Sequence, residues 1–214
     1  MSTESAVKSV RRPVSVTFGP KSSALLSKSE LLSLLRSGWR EGCRKIDLIV
    51  LHCSDTRPSQ DFTIENLITS HKNAGFGDMP GYHFYVRRDG HLYYCRPITM
   101  KGCHVKGYNT ISIGVCSEGG HRDGPEQIPI GNLNDLEKLQ EGGNPPPLGG
   151  DKRGASAYED NRTAEQLVVL HDLLTCLHEM FPSAKILGHR DLPGVKKACP
   201  CYDAAKEYAY IYDH

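Results

Sequence analysis

The sequence predicts an α/β domain with a mixed central β-sheet flanked by helices. Apolar runs of strand length alternate along the chain with segments in which leucines recur at helical spacing. One tight turn signal, Asp89-Gly90, lies between two strand-like runs and predicts an antiparallel hairpin within the sheet. We expect a single domain that carries an irregular insertion at about 119–160.

Composition narrows the possible partners. The chain has 214 residues, with 26 Lys+Arg against 25 Asp+Glu, and a formal net charge of +1. Balanced charge gives no strong field for nucleic acid or an anionic membrane, so we expect neither partner. No stretch approaches the roughly 18 apolar residues of a membrane span, and the N-terminus lacks the apolar core of a signal peptide. We expect synthesis in the cytoplasm, and favour a monomer.

The N-terminal part divides into a tail and a helix. Residues 1–23 are polar and aperiodic, which predicts a flexible tail. Residues 24–44 are predicted to be a helical extension, because Ser27 and Glu30 have the spacing of a capping box and leucines follow.

The middle of the chain predicts the sheet. The continuous apolar run at 46–53 is typical of a strand buried on both faces. A short helix is expected at 64–74, capped by Thr63 and ended by Gly75. The run at 111–117 predicts another buried strand.

A segment at 119–154 is rich in glycine and proline, which predicts an irregular excursion with one weak helical turn around Leu133–Leu139. It either rims or covers a groove, or is a neutral surface insertion.

The last elements are a long helix and a short strand. Thr163 and Gln166 form a capping box, and a leucine repeat follows it. The apolar positions at helical spacing are Leu167, Leu170, Leu174 and Leu177. A strand is expected at 184–189, followed by a turn-rich segment.

The eight cysteines are predicted to be reduced thiols, since the chain is large for a disulfide scaffold and has no export signal. Four lie in strand or helix patterns and are interpreted as small buried hydrophobic residues. These are Cys53, Cys95, Cys116 and Cys176. The roles of Cys43 and Cys103 stay open.

Three side chains are candidates for a metal site. His52 and His189 each end a predicted strand, and Cys199 follows a turn shortly after His189. Functional groups collect at strand ends in α/β sheets. Two imidazoles and one thiolate make a zinc site with three protein ligands, which leaves the fourth position for water, as in catalytic sites.

Spacing alone leaves alternatives to this site. Each histidine, taken singly, is more often a hydrogen-bonded structural residue. Cys201 competes with Cys199 in the Cys-Pro-Cys sequence, and Cys53 competes beside His52. Strand alternation places Cys53 and His52 on opposite faces, so only one of them should reach a metal.

Several motifs occur in an order that resembles a known family. They are HCSDTRPSQ (52–60), GYHFYVRRDG (81–90), GCHVKGYNTISIGVCSEGG (102–120), GHRDL (188–192) and KACPCYD (197–203). Together they resemble zinc-dependent N-acetylmuramoyl-L-alanine amidases of the bacteriophage lysozyme type, whose fold animal peptidoglycan recognition proteins share. The resemblance covers most of 45–214, which is therefore assigned as the amidase domain.

The resemblance implies one Zn²⁺ per chain and a role for six residues. The implied zinc ligands are His52, His189 and Cys199. Tyr82 and Lys197 match catalytic residues, and the K-A-C sequence favours Lys197 over Lys196. Lys197 or Tyr82 could stabilise the oxyanion, or Tyr82 could orient water or relay a proton. His104 matches a groove-lining, substrate-binding histidine.

The expected activity is hydrolysis of the amide between N-acetylmuramic acid and L-alanine in peptidoglycan. Peptidoglycan is therefore the expected partner. Such an enzyme reaches the cell wall after release, as a phage endolysin does, or by an unrecognised export route. Two alternatives stay open: a non-catalytic peptidoglycan-binding module, and an amidase for anhydro-muropeptides in recycling.

Overall fold

The fold is a six-stranded mixed sheet with helices on its faces, as seen in a computed structural model that describes residues 14–17, 27–40, 43–123 and 157–213. The strands are β1 (Val14–Thr17), β2 (Leu48–Cys53), β3 (Phe84–Val86), β4 (His91–Tyr94), β5 (Ser112–Ser117) and β6 (Lys185–Gly188). Their order across the sheet is β1-β4-β3-β5-β2-β6. β2 pairs in parallel with β5 and β6, and β3 pairs in parallel with β5. β4 pairs antiparallel with both β1 and β3. The predicted mixed sheet of an α/β domain is therefore confirmed.

Four α-helices are described: α1 (Lys28–Gly38), α2 (Ile64–Asn73), α3 (Ala164–Met180) and α4 (Ala204–Glu207). Their starts follow from local sequence, since Ser27, Thr63 and Thr163 each accept a hydrogen bond from the backbone N–H three residues on. The predicted hairpin is confirmed, and Gly90 occupies its turn with φ of +81°. No helix in these ranges is both long and apolar enough to cross a bilayer.

The hydrophobic core lies mainly on the face of the sheet that α1 and α3 cover. Leu31 and Leu35 of α1 are fully buried, as are Leu173 and Leu174 of α3. α1 is therefore part of the core of the domain, whereas the sequence predicted only a helical extension in front of it. On the opposite face, α2 packs Leu67 against Tyr85 and Cys116.

Two details of the predictions are corrected. The flexible tail predicted for 1–23 is wrong at Val14–Thr17, which forms the edge strand β1 and pairs with β4. Its alternating β-branched residues suit a strand, and the antiparallel edge of the hairpin offers the backbone partners. Leu167 belongs to the predicted repeat but is 41% exposed, because the buried stripe of α3 runs through Leu170 and Leu173 instead.

The insertion is closed at its base. Its two ends meet where His121 pairs with Tyr158, and the Arg122 N–H donates to the Ala157 carbonyl. The helical turn predicted around Leu133–Leu139 lies outside the described residues.

Candidate active site

Parallel strand pairing brings the two candidate histidines together. β2 and β6 are neighbours in register, with Leu51 opposite Gly188, so His52 and His189 leave the same edge of the sheet side by side. Their ring centroids are 4.7 Å apart. His52 is only 2% exposed, whereas His189 begins a short 3₁₀ turn and is half-buried.

Cys199 completes a cluster with these histidines. One ligand atom each from His52, His189 and Cys199 lies within 4.8 Å of the others. Cys199 Sγ is 3.7 Å from His52 Nδ1, near the edge length of about 3.5 Å in a tetrahedral zinc site with ordinary bond lengths. The backbone N–H of Cys53 donates to Cys199 Sγ at 3.3 Å, which suits a sulfur that carries negative charge. The three side chains therefore fit a zinc ion in both chemistry and spacing.

The competing cysteines contact each other behind this cluster. Cys53 Sγ lies 3.6 Å from Cys201 Sγ, and the Cys201 thiol donates to the Gly120 carbonyl. Cys53, Cys95, Cys116 and Cys176 are all buried, as predicted. All eight cysteines are free thiols.

The two predicted catalytic side chains line the same cavity as the cluster. This cavity has a volume of about 290 Å³, and Tyr82 and Lys197 both form part of its wall. The Tyr82 ring centroid is 5.0 Å from that of His52. Lys196, the neighbour that spacing left open, does not appear in the wall.

His104 also lines the cavity, and its ring nitrogens contact protein groups. Nδ1 is 3.0 Å from His52 Nε2, and Nε2 is 3.2 Å from Ser112 Oγ. The His104 ring therefore lies between Ser112 of β5 and His52 of the cluster.

Burial and charge shape the protonation of the site. Burial, then the neighbouring His104, His189 and Lys197, lowers the pKa of His52 well below its usual value. Burial and Lys197 also lower the pKa of His189. Burial and nearby thiols raise the pKa of Tyr82, so its phenol keeps its proton at neutral pH. The contact with Cys53, together with burial, raises the pKa of Cys199.

Three further residues of the cavity wall were not predicted from the sequence. Phe76, Cys103 and Tyr158 also line it. Phe76 is 39% exposed on a loop between Gly75 and Gly77, and an isolated aromatic residue between glycines was the available signal. Tyr158 lies at the C-terminal end of the insertion, where it pairs with His121, so this end of the insertion contributes to the cavity.

Comparison with known proteins identifies the class of protein to which this fold and site belong. The family described as N-acetylmuramoyl-L-alanine amidase matches residues 42–202. The chain belongs to this family and is an amidase that acts on peptidoglycan.

Individual relatives agree with this class. The chain is 33% identical over 153 residues to an endolysin of Enterobacteria phage K11, covering 72% of this chain and 79% of the relative. Among solved structures, an endolysin amidase, LysCS, from Clostridium intestinale URNW has a TM-score of 0.54 at 22% identity, covering 78% of this chain and 84% of that one. Bumblebee PGRP-SA has a TM-score of 0.51 at 17% identity, covering 81% and 91%. These two structures share the fold.

Proposed function

We propose that the chain cuts the amide bond between the lactyl group of N-acetylmuramic acid and L-alanine, using one zinc ion held by His52, His189 and Cys199. The observation that carries the proposal is the cluster of these three ligand atoms in the wall of a cavity. Relatives named as endolysins support bacterial peptidoglycan as the substrate.

The donor set supports zinc as the metal. Two imidazoles and one thiolate are borderline-soft ligands, and three protein ligands are typical of catalytic zinc sites. Zinc in such a site lowers the pKa of water and polarises a carbonyl group, the chemistry that amide hydrolysis needs at neutral pH. The low pKa of His52 keeps its ring available as a ligand, whereas Cys199 must release a proton on binding.

Lys197 is proposed to stabilise the negative charge that develops on the substrate carbonyl oxygen. Burial is the largest cause of the lowered pKa of His52 and His189, and the positive charge of Lys197, in the wall of the same cavity, lowers both further. A cation beside a developing oxyanion lowers the barrier, because it stabilises the charge that forms in the transition state.

Tyr82 is proposed to donate a hydrogen bond to the same oxygen or to the attacking water. Its raised pKa makes it a neutral donor and a poor base. Water adds to the lactyl carbonyl carbon, the C–N bond breaks, and the alanine nitrogen takes up a proton. The products are a lactyl carboxylate and a stem peptide with a free amino terminus.

The cellular setting follows from the substrate. A chain made in the cytoplasm meets peptidoglycan only after release from the cell or export, and the endolysin relatives favour release. We propose that it works as a monomer, without nucleic acid or membrane insertion. Direct contact between His104 and substrate stays a prediction.

Digestion of purified peptidoglycan tests the proposal. Zinc-loaded protein is incubated with sacculi and, separately, with soluble anhydro-muropeptides, and the products are identified by mass spectrometry. We expect free stem peptides that begin with L-alanine from sacculi. Only intact muropeptides would refute the proposal; sacculus binding without cleavage would favour a binding module, and cleavage of anhydro-muropeptides alone would favour recycling.

A further inference from the structure

The His104 imidazole lies in a slot that two glycines form. A Cβ atom on Gly114 would lie 2.7 Å from His104 Cγ, and one on Gly102 would also overlap the ring. Real side chains do not pack so closely, so only glycine at both positions leaves room for the ring. The backbone at His104 is held as well, since Asn109 Oδ1 accepts from the N–H groups of His104 and Val105.

A chain of hydrogen bonds runs from this slot to the metal cluster. The Ser112 hydroxyl donates to the Tyr108 carbonyl at 2.8 Å, and Ser112 Oγ lies 3.2 Å from His104 Nε2. His104 Nδ1 lies 3.0 Å from His52 Nε2. The other nitrogen of His52, Nδ1, faces Cys199 Sγ.

The far end of this chain is anchored. Arg44 Nη1 donates to the carbonyls of Asn109 and Ser112 at 3.2 and 2.8 Å, so the guanidinium holds the backbone of the Tyr108–Ser112 turn. A backbone carbonyl can only accept hydrogen bonds, which gives the chain a fixed direction.

The direction determines where each proton sits. Because the Ser112 hydroxyl donates to Tyr108, Ser112 Oγ accepts from His104 Nε2–H. An imidazole that donates from Nε2 has its lone pair at Nδ1, so His104 Nδ1 accepts from His52 Nε2–H. The neutral ring of His52 is left with a free lone pair at Nδ1, on the side of Cys199.

We propose that His104 is a positioning residue, which with Ser112 holds His52 in the Nε2–H tautomer and directs its Nδ1 lone pair into the cluster. The role of this tautomer in holding zinc rests on the proposed function. Both ring nitrogens of His104 are engaged within the protein, so the assignment differs from direct substrate binding. It also accounts for the pair of glycines around the ring.

Two measurements on the full chain test the assignment. Nitrogen-15 NMR of the metal-free protein reads the tautomer of His52, whose signals are identified by their absence in His52→Gln. Competition with a chromophoric chelator measures the Kd for zinc in the wild type and in His104→Phe, His104→Asn and Ser112→Ala. His91→Phe, on β4, is the matched control.

We expect the Nε2–H tautomer in the wild type and a Kd for zinc raised about 10- to 100-fold in His104→Phe. His104→Asn should recover most of this loss, because its amide oxygen can accept from His52. Ser112→Ala keeps the His104 ring in its slot, so this variant tests the hydrogen-bond chain even if His104→Phe does not fold. The Kd of Ser112→Ala for zinc should rise about 3- to 10-fold. His91→Phe should match the wild type.

A wild-type His52 protonated at Nδ1 would overturn the assignment, as would zinc affinities equal to the wild type in both His104→Phe and Ser112→Ala. The two proposals fail separately. A wild type with the expected tautomer that binds no zinc would refute the metal site and this metal-directing role, whereas zinc binding with the wrong tautomer would refute the hydrogen-bond chain alone.

Discussion

The two sides of the metal cluster are built differently. On the sheet side, His52 ends the central strand β2, is 2% exposed and is flanked by β5 and β6. On the loop side, His189 and Cys199 lie in a turn-rich segment that follows β6 and pairs with none of the six strands that the structure describes. The sheet therefore sets one ligand in place during folding, while the other two depend on side-chain and turn contacts.

Those contacts identify what holds the loop side. The Arg190 N–H donates to the Cys199 carbonyl at 2.8 Å, and the Asp191 carboxylate accepts from the Gly188 N–H. After Cys199 the chain is held by Arg162, whose guanidinium lies 3.3 Å from the centre of the Tyr202 ring.

Metal removal should have the largest effect. We expect chelation to abolish peptidoglycan cleavage by at least about 10³-fold, and added zinc to restore it. Hydrogen exchange should increase at 189–203, which loses a cross-link, and should change little in β2, which the sheet retains. Mass spectrometry of exchanged peptides checks this contrast; equal loss of protection in both regions would contradict it.

Lys197→Ala should lower kcat by about 10²- to 10³-fold, because one stabiliser of the oxyanion is lost. Bound zinc should remain at one per chain, since Lys197 is not a ligand. Lys196→Ala is the matched control and should stay within about threefold of the wild type. Similar rate losses in the two variants would mean that general charge, and not the position of Lys197, matters.

Arg162→Met should lower the free energy of unfolding by about 2 kcal/mol, because the hydrogen bonds of a buried guanidinium to two carboxylates are lost. The Arg162 side chain is 6% exposed, and it forms ion pairs with Asp160 and Glu207 at 2.7 and 2.8 Å. Arg122→Met breaks an exposed pair with Glu159 and should cost less than about 0.5 kcal/mol. Urea unfolding measures both, and equal costs would show that burial of Arg162 contributes nothing.

Acidification should destabilise the sheet side through His83. Burial lowers its pKa to about 3, so the folded protein leaves this ring neutral while the unfolded chain protonates it below about pH 6.5. The unfolded state then binds more protons, and the free energy of unfolding should fall by about 2 kcal/mol between pH 6.5 and 5.

Unfolding titrations across this range check the prediction. His83→Gln should remove that part of the pH dependence, whereas His171→Gln, at an exposed position of α3, should keep it. An unchanged slope in His83→Gln would exclude His83 as the source.

Local signals predicted much of this fold. The capping boxes at Ser27 and Thr163 and the Asp89-Gly90 turn depend on neighbours a few residues away, so they can be recognised in the sequence. The strand β1 could not be predicted, because a short polar-flanked segment becomes a strand only when β4 presents its edge.

The site required long-range information. His52 and His189 meet because Leu51 and Gly188 are paired in register, and spacing along the chain contains no trace of that register. The order of the motifs, through their resemblance to a known family, indicated that the two histidines belong to one site. The hydrogen-bond chain through Ser112 remained unseen, since an ordinary serine at the start of a strand gives no signal.

The zinc content of Cys199→Ser and Cys201→Ser, measured beside peptidoglycan digestion by the same samples, shows which of the two cysteines belongs to the metal site. We expect Cys199→Ser to lose zinc and cleavage together, because the cluster loses its thiolate. Cys201→Ser should keep one zinc per chain and most of its activity. Full zinc and activity in Cys199→Ser, with loss of both in Cys201→Ser, would contradict the assigned site.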